Sequence, residues 1–154
     1  MEMAVTPVLH PDRVDGALDL LSAAAESLDN AHWARTIHGR SAGTRLAVLR
    51  GAAAVLAVRG RGRAPGGGPV DLWRLLPQVA PELTEWADFF ATVLPDGGSR
   101  PGTDQVGLMS VREVDDLLRQ GEEFVQIVAG LLGLPPVPVT GDLISLTGPV
   151  GEIG

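Results

Sequence analysis

Before Pro135, no stretch of this chain alternates apolar and polar residues with period two, while apolar residues recur three and four apart through most of it. A chain patterned this way buries helix stripes rather than sheet faces, so the expected class is all-α. The clearest stretch begins at Ser110, followed three residues later by Glu113, the spacing of a capping box. Val114, Leu117, Leu118, Phe124, Ile127, Val128 and Leu131 follow, with Gly133 as a stop and Pro135 beyond it. These signals predict a helix from Val111 to Leu132.

Pro11 and Asp12 suit a first helical turn, and Val14, Ala17, Leu18, Leu21, Ala25 and Leu28 make one apolar face. A helix is expected over Pro11 to Leu28, with Asn30 as its stop. A second helical region runs from Ala31 to Val58, with Ala42, Leu46, Leu49, Ala53 and Leu56 as its apolar stripe. Beside that stripe lies a row of small residues four apart, Gly39, Gly43, Ala47 and Gly51. Each helical glycine costs roughly 1 kcal/mol relative to alanine, so the row marks a packing or dimer face where another backbone comes close. That backbone can belong to the same bundle or to a second subunit. The alternative is a break near Gly39–Gly43.

Gly60 to Pro69 reads as a flexible connector. Asp71 is placed to cap a helix carrying Leu72, Trp73, Leu75, Leu76 and Val79, which Pro77 should end or kink. Pro81 and Glu82 restart a helix with Leu83, Trp86, Phe89, Phe90 and Val93, and Pro95 to Gly107 forms a second loop. Four of the six aromatics fall between Trp73 and Phe90 at helical spacing, as core residues do. The architecture is a helical bundle over residues 11–134, three long helices with shorter ones between Asp71 and Leu94. A flexible N-terminus, 1–10, precedes it. A Pro-rich apolar tail, 135–154, follows, expected to be extended and partly ordered against its own domain or a dimer mate.

Charge divides the chain unevenly. Asn30 to Val70 holds Arg35, Arg40, Arg45, Arg50, Arg59, Arg61 and Arg63 with no acid, while the remaining five arginines share the rest with all nineteen acids. Such a split calls for an internal partner to the basic face or an anionic external one. All twelve cations are arginine and none is lysine, which excludes a Walker-type phosphate loop and any Schiff base. The absence of cysteine excludes disulfides and thiol chemistry. The N-terminus has no basic region followed by an apolar run, and no stretch approaches the roughly 18–20 apolar residues of a membrane span. The expectation is a cytoplasmic protein with no membrane partner.

Arg35 and His38, three apart, share a helix face, and an Arg–His pair suits phosphodiester chemistry: Arg stabilises the anionic phosphorane and His moves the proton. His32 and His38, six apart, fall on different faces, so neither a metal nor a cofactor is expected. Asp115, Asp116, Glu122 and Glu123 have Arg112 and Arg119 as local partners and read as a solvated helix face. Arg35, Arg40, Arg45 and Arg50 advance by about 140° per step and spiral rather than form a ridge. Arg50, Arg59, Arg61 and Arg63 are candidates for nucleic-acid contact, although a pI near 4.8 opposes general affinity for phosphate backbones.

The run LAVLRGAAAVLA (46–57), the linker after it, LWRLLP (72–77), VAPELTEWADFF (79–90), EVDDLLR (113–119) and Phe124 together resemble an actinobacterial subfamily of HEPN domains. The resemblance implies a helical bundle, commonly dimeric, in a superfamily with many RNA-cutting toxins and nucleotidyltransferase partners. The nucleases carry Arg, four to six residues, then His. Here neither Arg112 nor Arg119 has a His after it, and Arg40 is followed five residues on by Arg45. The expectation is a non-catalytic, dimeric interaction module, with a protein partner or an association with RNA or nucleotide metabolism or a toxin–antitoxin-like system. The alternative is an RNA-cleaving enzyme or toxin using Arg40 and Arg45 with His38.

Overall fold

The last helix shows most directly how the sequence fixes the architecture. In the computed structural model, which describes residues 11–60, 69–94 and 109–135, it spans Val111–Leu131. The Ser110 side chain accepts from the Glu113 N–H while Glu113 accepts from the Ser110 N–H, so the capping box is formed. At the other end Gly133 takes a φ of 70°. Its N–H bonds the Gly130 carbonyl and the Leu134 N–H bonds Ala129, the paired bonds of a Schellman stop.

The elements in order are α1 (Pro11–Trp33), α2 (Ile37–Arg59), α3 (Pro69–Val79), a 3-10 turn (Pro81–Leu83), α4 (Thr84–Val93) and α5 (Val111–Leu131). No strand occurs among the described residues, and the fold is an all-α bundle. α1 lies antiparallel to α2: Gly43 meets Ala31 and Ser27, and Arg50, two turns later, reaches Ser27 and Ala23. α5 runs parallel to α2, with Asp115 beside Arg40 and Phe124 beside Gly51. α3 and α4 close the bundle with a ring cluster of Trp73, Trp86 and Phe90 around Phe124. Those aromatics are core, whereas Phe89, expected among them, is 37% exposed.

Several boundaries depart from expectation. α1 does not stop at Asn30; Asn30 is exposed and harmless there, and the fully buried Ala31 carries the stripe Ala17, Leu21, Ala24, Leu28 one step further. The second helical region is broken, but at Ala34–Thr36 rather than Gly39–Gly43. Thr36, in extended conformation, accepts from the Gly39 N–H at 2.9 Å and starts α2. α3 begins before Asp71, so Asp71 is not its cap. Pro77 sits in the last turn of α3, and Pro81 opens a 3-10 turn rather than α4 itself.

The largest correction concerns α2. Its buried residues are Ser41, Thr44, Ala47, Val48, Gly51, Ala52, Ala54 and Val55. The expected stripe lies on the other side, with Ala42 exposed, Leu46 43% exposed, and Leu49, Ala53 and Leu56 half-buried. α2 carries apolar residues on both sides, so its periodicity does not tell which side faces inward. By length and composition it is also long and apolar enough to cross a membrane, contrary to expectation. Half of that apolar window is buried in the bundle, as for a central core helix. The connector beyond Gly60, the loop before Met109, residues 1–10 and the tail after Pro135 lie outside the described residues.

Gly16 in α1 gives the simplest stability test. A methyl added there meets nothing within 4 Å, so Gly16→Ala should gain about 0.5–1 kcal/mol from reduced chain entropy and better helix propensity. A urea midpoint shifted upward with unchanged slope is the expected result.

Candidate functional site at the α1–α2 corner

The charged groups singled out in the sequence converge where the C-terminus of α1, the first turn of α2 and the first half of α5 meet. Thr36 turns the chain there, and Gly39 sits tight against the Thr36 hydroxyl and Ala34, at 3.0 and 3.2 Å from where its Cβ would be. Arg40 is thereby directed back across the corner. Its Nε donates to the Ala34 carbonyl at 3.1 Å and its Nη1 pairs with Asp115. Two turns along α5, about 10 Å away, Glu122 lies 2.7 Å from His32 Nε2. Both pairs are partly shielded, and Glu122 is 16% exposed.

These contacts correct the reading of α5 as a purely solvated acidic face. Asp115 and Glu122 turn toward α2 and α1, and Arg119–Asp116, at 3.2 Å, is a pair along the helix. Arg59 joins α2 to the end of α3 in the same manner, donating to the Val79 carbonyl and to Glu82 at 3.2 and 3.1 Å. The Glu82 carboxyl is held below the usual range, first by its own backbone N–H and then by Arg59. Its contribution is therefore present at neutral pH and fades as pH falls through the lowered value. The acid-free segment thus has partners inside the domain.

The remaining predicted residues lie outside these pairs. His38 is two residues from Arg40, about 200° around α2, so the two point to opposite sides. His38 and Arg35 are exposed, and Arg45 is half-buried. Arg50 spans α2 and α1, donating to the Ala23 carbonyl at 3.1 Å and the Ser27 hydroxyl at 2.7 Å. Arg61 and Arg63 lie outside the described residues. Of the small row, Gly43 faces Ala31 and Ser27 of α1, Gly51 faces Phe124 and Val125 of α5, and Ala47 is buried.

Three features were not anticipated: the His32–Glu122 pair, the inward course of Arg50, and Gly121. A Cβ on Gly121 would stand 2.9 Å from the Thr44 methyl and 3.4 Å from Val48, where α1, α2 and α5 meet. The one available signal was a glycine in the middle of the most regular helical pattern. Chemically, a His–carboxylate pair can move a proton and a free guanidinium can hold a phosphate. Here Arg40 is occupied. His32 and Glu122 offer two metal donors, and no cluster of three exists among the described residues.

Bundle and corner together define a HEPN-type helical domain. The family model for SAV_6107-like HEPN domains matches residues 31–129, from the end of α1 to the end of α5, and the chain belongs to that family. No curated protein and no solved structure matches it.

Proposed function

We propose that this HEPN domain is a non-catalytic interaction module, dimeric and cytoplasmic, that works through protein contacts. The observation carrying the reading is the course of Arg40. The residue best suited to stabilise a phosphorane spends its guanidinium on Asp115 and on the Ala34 carbonyl, joining α2 to α5 and to the turn after α1. Position 45 supplies a second arginine instead of a proton-transferring histidine, and His38 points away. HEPN membership supports a setting in RNA or nucleotide metabolism, including toxin–antitoxin-like systems.

The test is cleavage of labelled RNA by the purified protein beside an Arg40→Ala, Arg45→Ala variant. Intact RNA with both is the expected result. Arg40→Ala alone should lower stability by about 1–2 kcal/mol, since a partly exposed ion pair and a bond to a helix-terminal carbonyl are lost together. Cleavage that the double variant loses would reverse the reading and make α2 the active helix.

A second reading, RNA contact without cleavage, has one observation in its favour. Trp33, 70% exposed, stands at the same corner as the exposed Arg35 and His38, a ring for base stacking beside a guanidinium and an imidazole. Binding at low salt that Trp33→Ala weakens would support it.

A further inference from the structure

α5 meets α2 at Thr44, Val48 and Gly51. The side of α2 turned away from α5 carries Ala42, Leu46, Leu49, Ala53 and Leu56. Ala42 is exposed, Leu46 is 43% exposed, and the other three are half-buried. An apolar face about 21 Å long, from Leu56 to Ala42, is thus only partly covered. Arg45 and Arg50 flank it, in a helix with four arginines and no acid. Arg45 is engaged within the domain. Arg50 gives one nitrogen, Nη1, to two neutral partners, the Ala23 carbonyl and the Ser27 hydroxyl.

We propose that residues 143–150 of the same chain lie along this face, antiparallel to α2 from Leu56 toward Ala42. The inference goes beyond the interaction-module reading and does not depend on it. The first argument for this occupant is where the described chain leaves the bundle. α5 runs parallel to α2 with Phe124 beside Gly51, so Leu131 stands level with Val58. Pro135 therefore emerges at the C-terminal end of α2, the Leu56 end of the face. The second argument is length. Leu143 follows Pro135 by eight residues. That is up to about 26 Å of extended chain, enough to round the end of a helix about 10–12 Å across. Leu143 to Val150 then covers about 23 Å, close to the length of the face. The third argument is charge. Residues 136–154 offer Leu143, Ile144, Leu146 and Val150 with Asp142 and Glu152 and no cation, opposite in sign to α2. A second copy of α2 would instead set arginines against arginines. The tether adds to this choice: a segment attached to the domain acts at an effective concentration of about a millimolar, which any free partner has to displace.

The absence of cysteine makes the test direct. Two thiols are placed in the full-length chain, Ser145→Cys in the segment and Ala53→Cys on the face. The control pairs Ser145→Cys with Ser22→Cys, exposed on the outward side of α1 beside Ala23, which Arg50 reaches. The two sites on the bundle thus stand at similar heights, and an unchanged helical spectrum verifies that each variant folds. In a glutathione redox buffer, the Ala53 pair should close a disulfide within one chain at an effective concentration tenfold or more above the control. Equal values mean that residues 136–154 visit both sides alike. Cross-links between chains, from this pair or from Ala53→Cys alone, put a second copy on the face. Either result overturns the inference. A further variant asks what holds the segment. Leu143→Ser, Ile144→Ser and Leu146→Ser together should lower the Ala53 pair to the value of the control. An unchanged value would show that those side chains do not hold the segment, which overturns the inference as well. RNA cleavage would bear on the interaction-module reading alone.

Discussion

Replacing Phe124 with alanine is expected to cost about 3–5 kcal/mol, a large part of the roughly 5–15 kcal/mol that holds a domain folded. The ring is fully buried, with centroids 5.2 Å from Phe90, 5.6 Å from Trp86 and 6.2 Å from Trp73. It comes from α5 and fills the space against Gly51 of α2, 3.3 Å from where a Cβ would stand. Two circumstances keep the cavity from collapsing. Gly51 has no side chain to move into it, and the surrounding rings are already packed on one another, Trp73 on Phe90 at 5.4 Å and Trp86 on Phe90 at 5.8 Å. Phe124→Leu keeps most of the volume and should lose about 1.5 kcal/mol or less. Urea unfolding followed by tryptophan fluorescence suits the test, because Trp73 and Trp86 report on the cluster while the exposed Trp33 supplies a steady background. A loss below 1 kcal/mol for Phe124→Ala would mean that the cluster closes over the gap and that α5 is held chiefly by its other contacts.

What could be read from the sequence alone follows how local the determinants are. The capping box at Ser110 and the stop at Gly133 are written within a few residues, so α5 is legible to within a residue of both ends. The break at Thr36 rests on one hydroxyl accepting from Gly39, a weaker sign beside the larger signal of glycines four apart. The inward face of α2 was not legible: both of its sides are apolar, and the side carrying leucines is the one left outward. The corner was hidden for a different reason. Arg40–Asp115 and His32–Glu122 join residues 75 and 90 positions apart, and each acid also has an arginine nearby in sequence that could have served it. Local pairing and tertiary pairing are nearly equal on paper. Packing of α5 against α1 and α2 decides between them.

Gly43 offers the second large effect, and its sign separates crowding from propensity. Glycine to alanine inside an open helix stabilises, as expected at Gly16. At Gly43 the new methyl would stand 2.9 Å from Ala31 Cβ and 3.1 Å from the Ser27 carbonyl, so the α1 backbone itself has to retreat. Overpacking of this kind costs about 1–3 kcal/mol against a propensity gain of about 1 kcal/mol, leaving Gly43→Ala destabilised by up to about 2 kcal/mol. Gly43→Val adds two further methyls and should lose about 3 kcal/mol or more. Retreat of α1 also draws Ser27 from Arg50 and His32 from Glu122, so the loss exceeds what one contact explains. The decisive variant pairs Gly43→Ala with Ala31→Gly, which returns the space the methyl needs. Residues in contact couple by about 0.5–3 kcal/mol, so the double variant should be more stable than the sum of its single changes by that amount. Strict additivity would show that the helices do not approach as closely as the Gly43–Ala31 contact requires.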